Sequence, residues 1–152
     1  MEKGKRKKII NLIKNKFLTK GFFKSFSASV PTNLAPNAQS LPSAHLARTI
    51  ENMRRLTNGQ KTSDFGFDLI LIVHAPTDVD IVKSDAEDEA EETLLEMQAE
   101  DDFTDLGIEI KVTACDTGPL SLAPLGVQGS ILPPYGAVRM SVEVTFDYQA
   151  ID

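Results

Sequence analysis

The sequence predicts an α+β fold, a mostly antiparallel four-stranded sheet with two helices packed on one face, and three observations carry that expectation. Val138, Met140, Val142, Val144, Phe146 and Tyr148 alternate with Arg139, Ser141, Glu143, Thr145 and Asp147, the period of a half-buried strand. Residues 64–75 alternate as well, with Phe65, Phe67, Leu69, Leu71 and Val73 on one side. Two other segments, 5–20 and 84–99, instead place apolar residues at helical spacing. Ordering a strand as long as 138–148 costs about as much backbone entropy as its apolar side chains return on burial. It therefore needs a sheet and a covering helix, and the other elements supply them.

The spacing predicts a first helix over 5–20, with Ile9, Ile10, Ile13 and Phe17 on one face and Lys7, Lys8, Asn11 and Lys14 elsewhere. Gly21 is a natural stop. Residues 1–26 then form a basic amphipathic N-terminal unit that packs on the domain. Residues 27–43, with Pro31, Pro36 and Pro42, form an extended connector. A single α+β domain follows over 44–152. Leu46, Arg48 and Ile50 alternate with their neighbours, which favours a strand over 44–51 rather than a short helix. Asn52 to Ser63 reads as a turn around Asn58-Gly59, and Ala75-Pro76 ends the strand over 64–75. That strand is polar at its ends and apolar at Ile70 and Ile72 on its second face, so it is central and partly covered on both sides.

Ser84 followed by Glu87 is a capping-box pattern and predicts a helix over 84–99, with Ala86, Ala90, Thr93, Leu94 and Met97 as its stripe. The acids from Asp85 to Glu96 form a solvated face. They run around a helix and lack the loop glycine of a calcium site. Ile108, Ile110, Val112 and Ala114 alternate over 106–115, a further strand. Residues 116–135 are a long loop with prolines at 119, 124, 133 and 134. Leu120, Leu122, Leu125, Val127 and Ile131 make it more apolar than a solvated loop, which marks them as candidate subunit or tube contacts.

The net charge of −6 conceals an asymmetry. Nine Lys or Arg and one Glu give residues 1–24 a net +8, whereas seven cations and twenty-one acids give residues 25–152 a net −14. Lys5, Arg6, Lys7 and Lys8 are therefore candidate docking charges, for an anionic surface or an acidic protein face. The longest apolar run, Leu69 to Val73, is far short of the ~20 residues that cross a membrane. The N-terminal apolar residues are too interrupted for a signal peptide, and the Lys-rich head disfavours a transit peptide. One cysteine, Cys115, forms no internal disulfide, and no Cys/His set has zinc spacing. There is no Walker loop, dinucleotide fingerprint or nucleophile elbow, since Gly126-Val127-Gln128-Gly129-Ser130 has its serine misplaced. His74 reads as an exposed histidine at a strand end. Nothing points to a cofactor or to an enzyme.

Four features carry a resemblance. Leu41-Pro42-Ser43-Ala44 opens the first strand, Phe67 to His74 forms the long middle strand, and an acidic helix follows over Asp85 to Glu96. Tyr135-Gly136-Ala137-Val138-Arg139 then leads into Val142-Glu143-Val144-Thr145-Phe146. Over most of residues 40–148 this layout resembles the tail-terminator proteins of long-tailed bacteriophages, also called minor tail or tail-completion proteins. The basic head and the Pro/Leu-rich loop are less typical of that family. The resemblance implies a structural, non-catalytic protein of the virion, assembled in the host cytoplasm and sited at the tail–neck junction. It implies a self-assembled ring, usually a hexamer, that touches the tail tube protein and a neck or stopper protein. DNA passes through its lumen without specific binding. The alternatives are another neck protein, a stopper or head-completion protein, and a nucleic-acid-binding module that uses the basic head. The clustered Phe17, Phe22, Phe23 and Phe26 suit base stacking poorly.

Overall fold

The computed structural model describes residues 4–29, 41–56, 59–99, 103, 107–116 and 135–149. Their elements run α1 (Lys5–Lys20), β1 (Ser25–Ser27), β2 (Ser43–Arg55), β3 (Gln60–His74), α2 (Val79–Ala99), β4 (Glu109–Asp116) and β5 (Tyr135–Gln149). The strands form one sheet in the order β1-β2-β3-β5-β4. The fold is α+β, but the sheet has five strands, not four, and is mixed: β1 lies parallel to β2, and the other pairs are antiparallel. The fifth strand falls at the join between the basic head and the connector. After Gly21 closes α1 in a left-handed conformation, the chain turns back along the sheet. Phe26 then meets Phe17 edge-on at 5.5 Å. Three residues are too few to show a period, so the sequence does not announce β1.

Alternation sorts the core as the pleat requires. Phe65, Phe67, Leu69, Leu71 and Val73 of β3 share a face with Leu46 of β2 and with Val138, Met140, Val142, Val144 and Phe146 of β5. Ile9, Ile13 and Phe17 of α1 and Ala86, Ala90, Leu94 and Met97 of α2 join that same cluster, so both helices cover one face. A smaller cluster of Leu41, Ala47, Ile70, Ile72 and Ala137 occupies the opposite face, with Tyr135 against it.

Three boundaries differ from the sequence expectation. The turn placed at 52–63 is mostly ladder: β2 and β3 stay paired out to Arg55 and Lys61. These residues are polar or exposed, and apart from buried Ser63 backbone pairing along the ladder holds them rather than burial. The acidic helix starts at Val79, not at Ser84. Ser84 is interior and its Oγ donates to the Asp80 carbonyl at 2.9 Å, so the capping-box pattern is not a cap. Val79 and Lys83 pack over Gly136, where an added Cβ would come within 2.7 Å of Val79 Cγ2; this tertiary contact sets the first turn. Finally, the strand expected at 106–115 spans 109–116 and carries an irregularity between Val112 and Ala114. The expected stripe breaks there: Val112 pairs with Val142, Ala114 with Ser141, and Cys115 with Met140.

Candidate assembly surfaces

The basic head divides into charges that hold the fold and charges that face water. Arg6 donates through Nε and Nη2 to the two carboxylate oxygens of Glu51, at 2.7 and 2.5 Å. Its guanidinium also lies 5.0 Å from the centre of the Tyr148 ring, a cation–π contact. Glu51 has a side chain only 9% exposed and accepts a further bond from Ser63 Oγ at 2.6 Å. The Arg6 hydrogen bonds hold the Glu51 carboxyl below the usual carboxylate range, against the upward push of burial, and Glu51 in turn raises the pKa of Arg6. Lys5 Nζ donates to the Asp147 carbonyl. Lys7 and Lys8 are exposed. At the other end of α1, Lys20 reaches Glu96 at 3.2 Å and Glu89 at 3.5 Å of α2. Among the described residues, the head cations Lys5, Arg6, Lys16 and Lys20 thus have partners within the chain.

The β2–β3 hairpin forms the second surface. Its strands shift register between Arg48 and Glu51, and the irregular backbone lies on Gly66, where a Cβ would stand 2.6 Å from the Ile50 carbonyl oxygen. Such a bulge re-aims side chains at a sheet edge. Ile50, Met53 and Leu56 are exposed beside Arg48, Arg54 and Arg55. On both sides of the irregularity the face of the sheet opposite the helices is laced by polar pairs: Thr62 to Asp147 at 2.6 Å, Thr145 to Asp64 at 2.9 Å and Ser141 to Asp68 at 3.1 Å. A shallow groove of about 380 Å³ runs over this face among Asn52, Asp68, Arg139, Ser141 and Glu143.

The third surface is the far edge, where β4 lies beside α2. A groove of about 200 Å³ runs between them, lined by Leu94, Leu95, Ile110 and Val112 with Glu91. The outer side of α2 exposes Ile81 and Leu95 among its acids.

The reactive residue types lie apart. His45 is held between Ser27 Oγ at 2.8 Å and Ser43 Oγ at 3.0 Å, linking β1 to β2, and burial pushes its pKa down, towards the neutral form. His74 stands against the Tyr135 ring at 5.4 Å. The Cys115 thiol is pushed up to about 11 by partial burial and by Glu87 and Glu91, which leaves little thiolate at neutral pH. No group of three or more metal-ligating side chains forms among the described residues, and no helix among them is long and apolar enough to cross a membrane. Of the residues singled out in the sequence, Leu120, Leu122, Leu125, Val127 and Ile131 lie outside the described residues. The exposed apolar set Ile50, Met53 and Leu56 was missed because the segment reads as a turn. Its signal is the interleaving of apolar and cationic residues from Arg48 to Leu56. Compared with protein-family models and with curated proteins, the chain matches none.

Proposed function

We propose that this chain is a structural subunit of a bacteriophage tail, a terminator that closes the finished tail tube as a ring and joins it to the neck of the head. The observation that carries the reading is an open sheet with two chemically different edges. Among the described residues the outer side of β2 meets β1 only at Ser43–His45, and β4 has no outer neighbour in the sheet. Unlike edges on one subunit favour heterologous contacts, which close into a ring when the rotation between copies allows it. The order of elements over residues 40–148 supports the same reading, as does an arrangement that places both helices on one face. In this reading six copies form the ring, the tail tube protein lies below and a stopper protein above. The role is one of interface geometry and not of catalysis. DNA crosses a lumen that the acidic body, net −14 over residues 25–152, keeps from binding it. The protein belongs to the virion and assembles in the host cytoplasm.

Electron microscopy of tails grown with and without the protein tests this. Tubes of uniform length bearing a terminal ring are expected with it, and tubes of variable length without it. A chain that stays monomeric and leaves tube length unchanged overturns the proposal. A ring found only at the head vertex moves it to the stopper class.

A further inference from the structure

Opposite edges of the sheet carry exposed apolar groups set in charge of opposite sign. On the β2 side Ile50 is 73% exposed, and Met53 and Leu56 stand open beside it. Residues 48–61 hold four cations and one acid, a net +3. Arg54 meets Asp64 only at 3.7 Å, with its side chain 66% exposed. On the β4 side Leu95 is 66% and Ile81 63% exposed. Helix α2 carries eight acids against Lys83, a net −7, and Leu95 borders the apolar groove that ends on Ile110 and Val112. Exposed apolar groups rimmed by charge mark an interaction surface.

We propose that the β2–β3 hairpin of one copy docks on the α2–β4 edge of a second copy, Ile50 and Met53 entering the groove beside Leu95 and Arg54 and Arg55 meeting Glu91 and Glu92. This rests on the ring reading and assigns its contact. Charge selects the occupant. Hairpin against hairpin sets +3 against +3, and helix against helix sets −7 against −7, so either symmetric dimer repels itself. Hairpin against helix attracts, and that pairing is heterologous. The contact runs through side chains. Irregularities at Arg48/Glu51 and at Val112/Ala114 interrupt both edges and oppose a continuous backbone ladder between copies.

Native mass spectrometry and light scattering test this with two variants of the full chain. R54E/R55E turns the hairpin from +3 to −1, and E91K/E92K reverses the two helix charges at the contact while the helix as a whole stays at −3; all four side chains are exposed. The wild type is expected to form a closed ring that dissociates as salt rises. Each variant alone is expected to need on the order of a hundredfold more protein to assemble. Mixed, the two variants restore an even-numbered ring of alternating copies, because the acidic positions 54 and 55 of one variant meet the basic positions 91 and 92 of the other and the native pair fills every other contact. If the wild type forms rings and either variant still assembles like it, or the mixture stays monomeric, the docking inference fails and the ring reading stands. A wild type that is monomeric at every concentration overturns both. Circular dichroism melts establish that each variant folds. Should one not, R54Q/R55Q and E91Q/E92Q replace the pair, and a ring whose salt dependence is unchanged by them overturns the inference.

Discussion

Helices α1 and α2 cover the same face of the sheet, but α1 reaches it with large side chains, Ile9, Ile13 and Phe17, and α2 with small ones, Ala86, Ala90 and Thr93, ahead of Leu94 and Met97. Small residues bring a helix axis close to its support, whereas large ones hold it away and fill the gap. Charge differs in the same way. Basic α1 is tied at both ends, Arg6 to Glu51 of β2 and Lys20 to Glu89 and Glu96 of α2. Acidic α2 turns Asp85, Asp88, Glu91 and Glu92 to water. The contrast teaches that α1 depends on a few long-range anchors, while α2 depends on close contact along its length and keeps an outer face available.

Truncation should therefore hurt α1 most. Phe17 is 1% exposed and its ring lies 5.4 and 5.5 Å from those of Phe23 and Phe26. Phe17→Ala opens a cavity among three rings and removes the packing that turns the chain into β1. A loss of about 3–5 kcal/mol is expected, a fall in Tm on the order of 10 °C by calorimetry. A fall of only a degree or two would mean that α1 rests lightly on the sheet.

Enlargement should hurt α2 instead. Ala90 is fully buried, so Ala90→Leu pushes the helix off the strands at a cost of about 1–3 kcal/mol. Hydrogen exchange locates the damage: α2 and β4 should lose protection while β2 and β3 keep theirs. Unchanged protection across α2 would show that the seam has room and that its small residues do not set the spacing.

The contrast between the helices was only half legible in the sequence. Both apolar stripes show, because 3.6-residue spacing persists over several turns, and β5 shows because fifteen residues of β3 pair with it in unbroken register. Helix α2's first turn does not show, since Ser84 and Glu87 match a local capping pattern while the deciding contact, Val79 and Lys83 on Gly136, lies fifty residues away. The outer half of the hairpin is invisible to hydrophobic alternation because its residues are mostly polar, and the ladder together with polar side-chain pairs orders them. Strand β1 is too short to have a period. At the surfaces, charge density marked Lys5 to Lys8 as one group. The structure separates them, and the separating partner, Glu51, sits forty-five positions along the chain with no local sign of the pairing.

That separation gives the smallest and most specific effect. Arg6→Met removes both bonds to Glu51 and leaves a largely buried carboxylate with Ser63 and Arg48 as its partners. The expected cost at neutral pH is about 1–2 kcal/mol, discounted because Arg6 is partly in water. Lys7→Ala with Lys8→Ala, both exposed, should stay within about 0.5 kcal/mol of the wild type. The pH dependence identifies the pair. In the folded chain Glu51 has a depressed pKa, the Arg6 hydrogen bonds being the largest cause. The stability it contributes is then full above the ordinary glutamate value of about 4.3 and is lost as pH falls through the lower, folded value. The gap in Tm between wild type and Arg6→Met should accordingly be widest near pH 7, narrow in acid, and close only once pH has fallen through the depressed value of Glu51 in the folded wild type, where this carboxyl is protonated in both proteins. Other carboxylates titrate in the same range, but they are common to the two proteins and cancel in the difference. A gap that stays constant down to acid pH would show that Arg6 stabilises the fold through its stacking on Tyr148 and not through its charge.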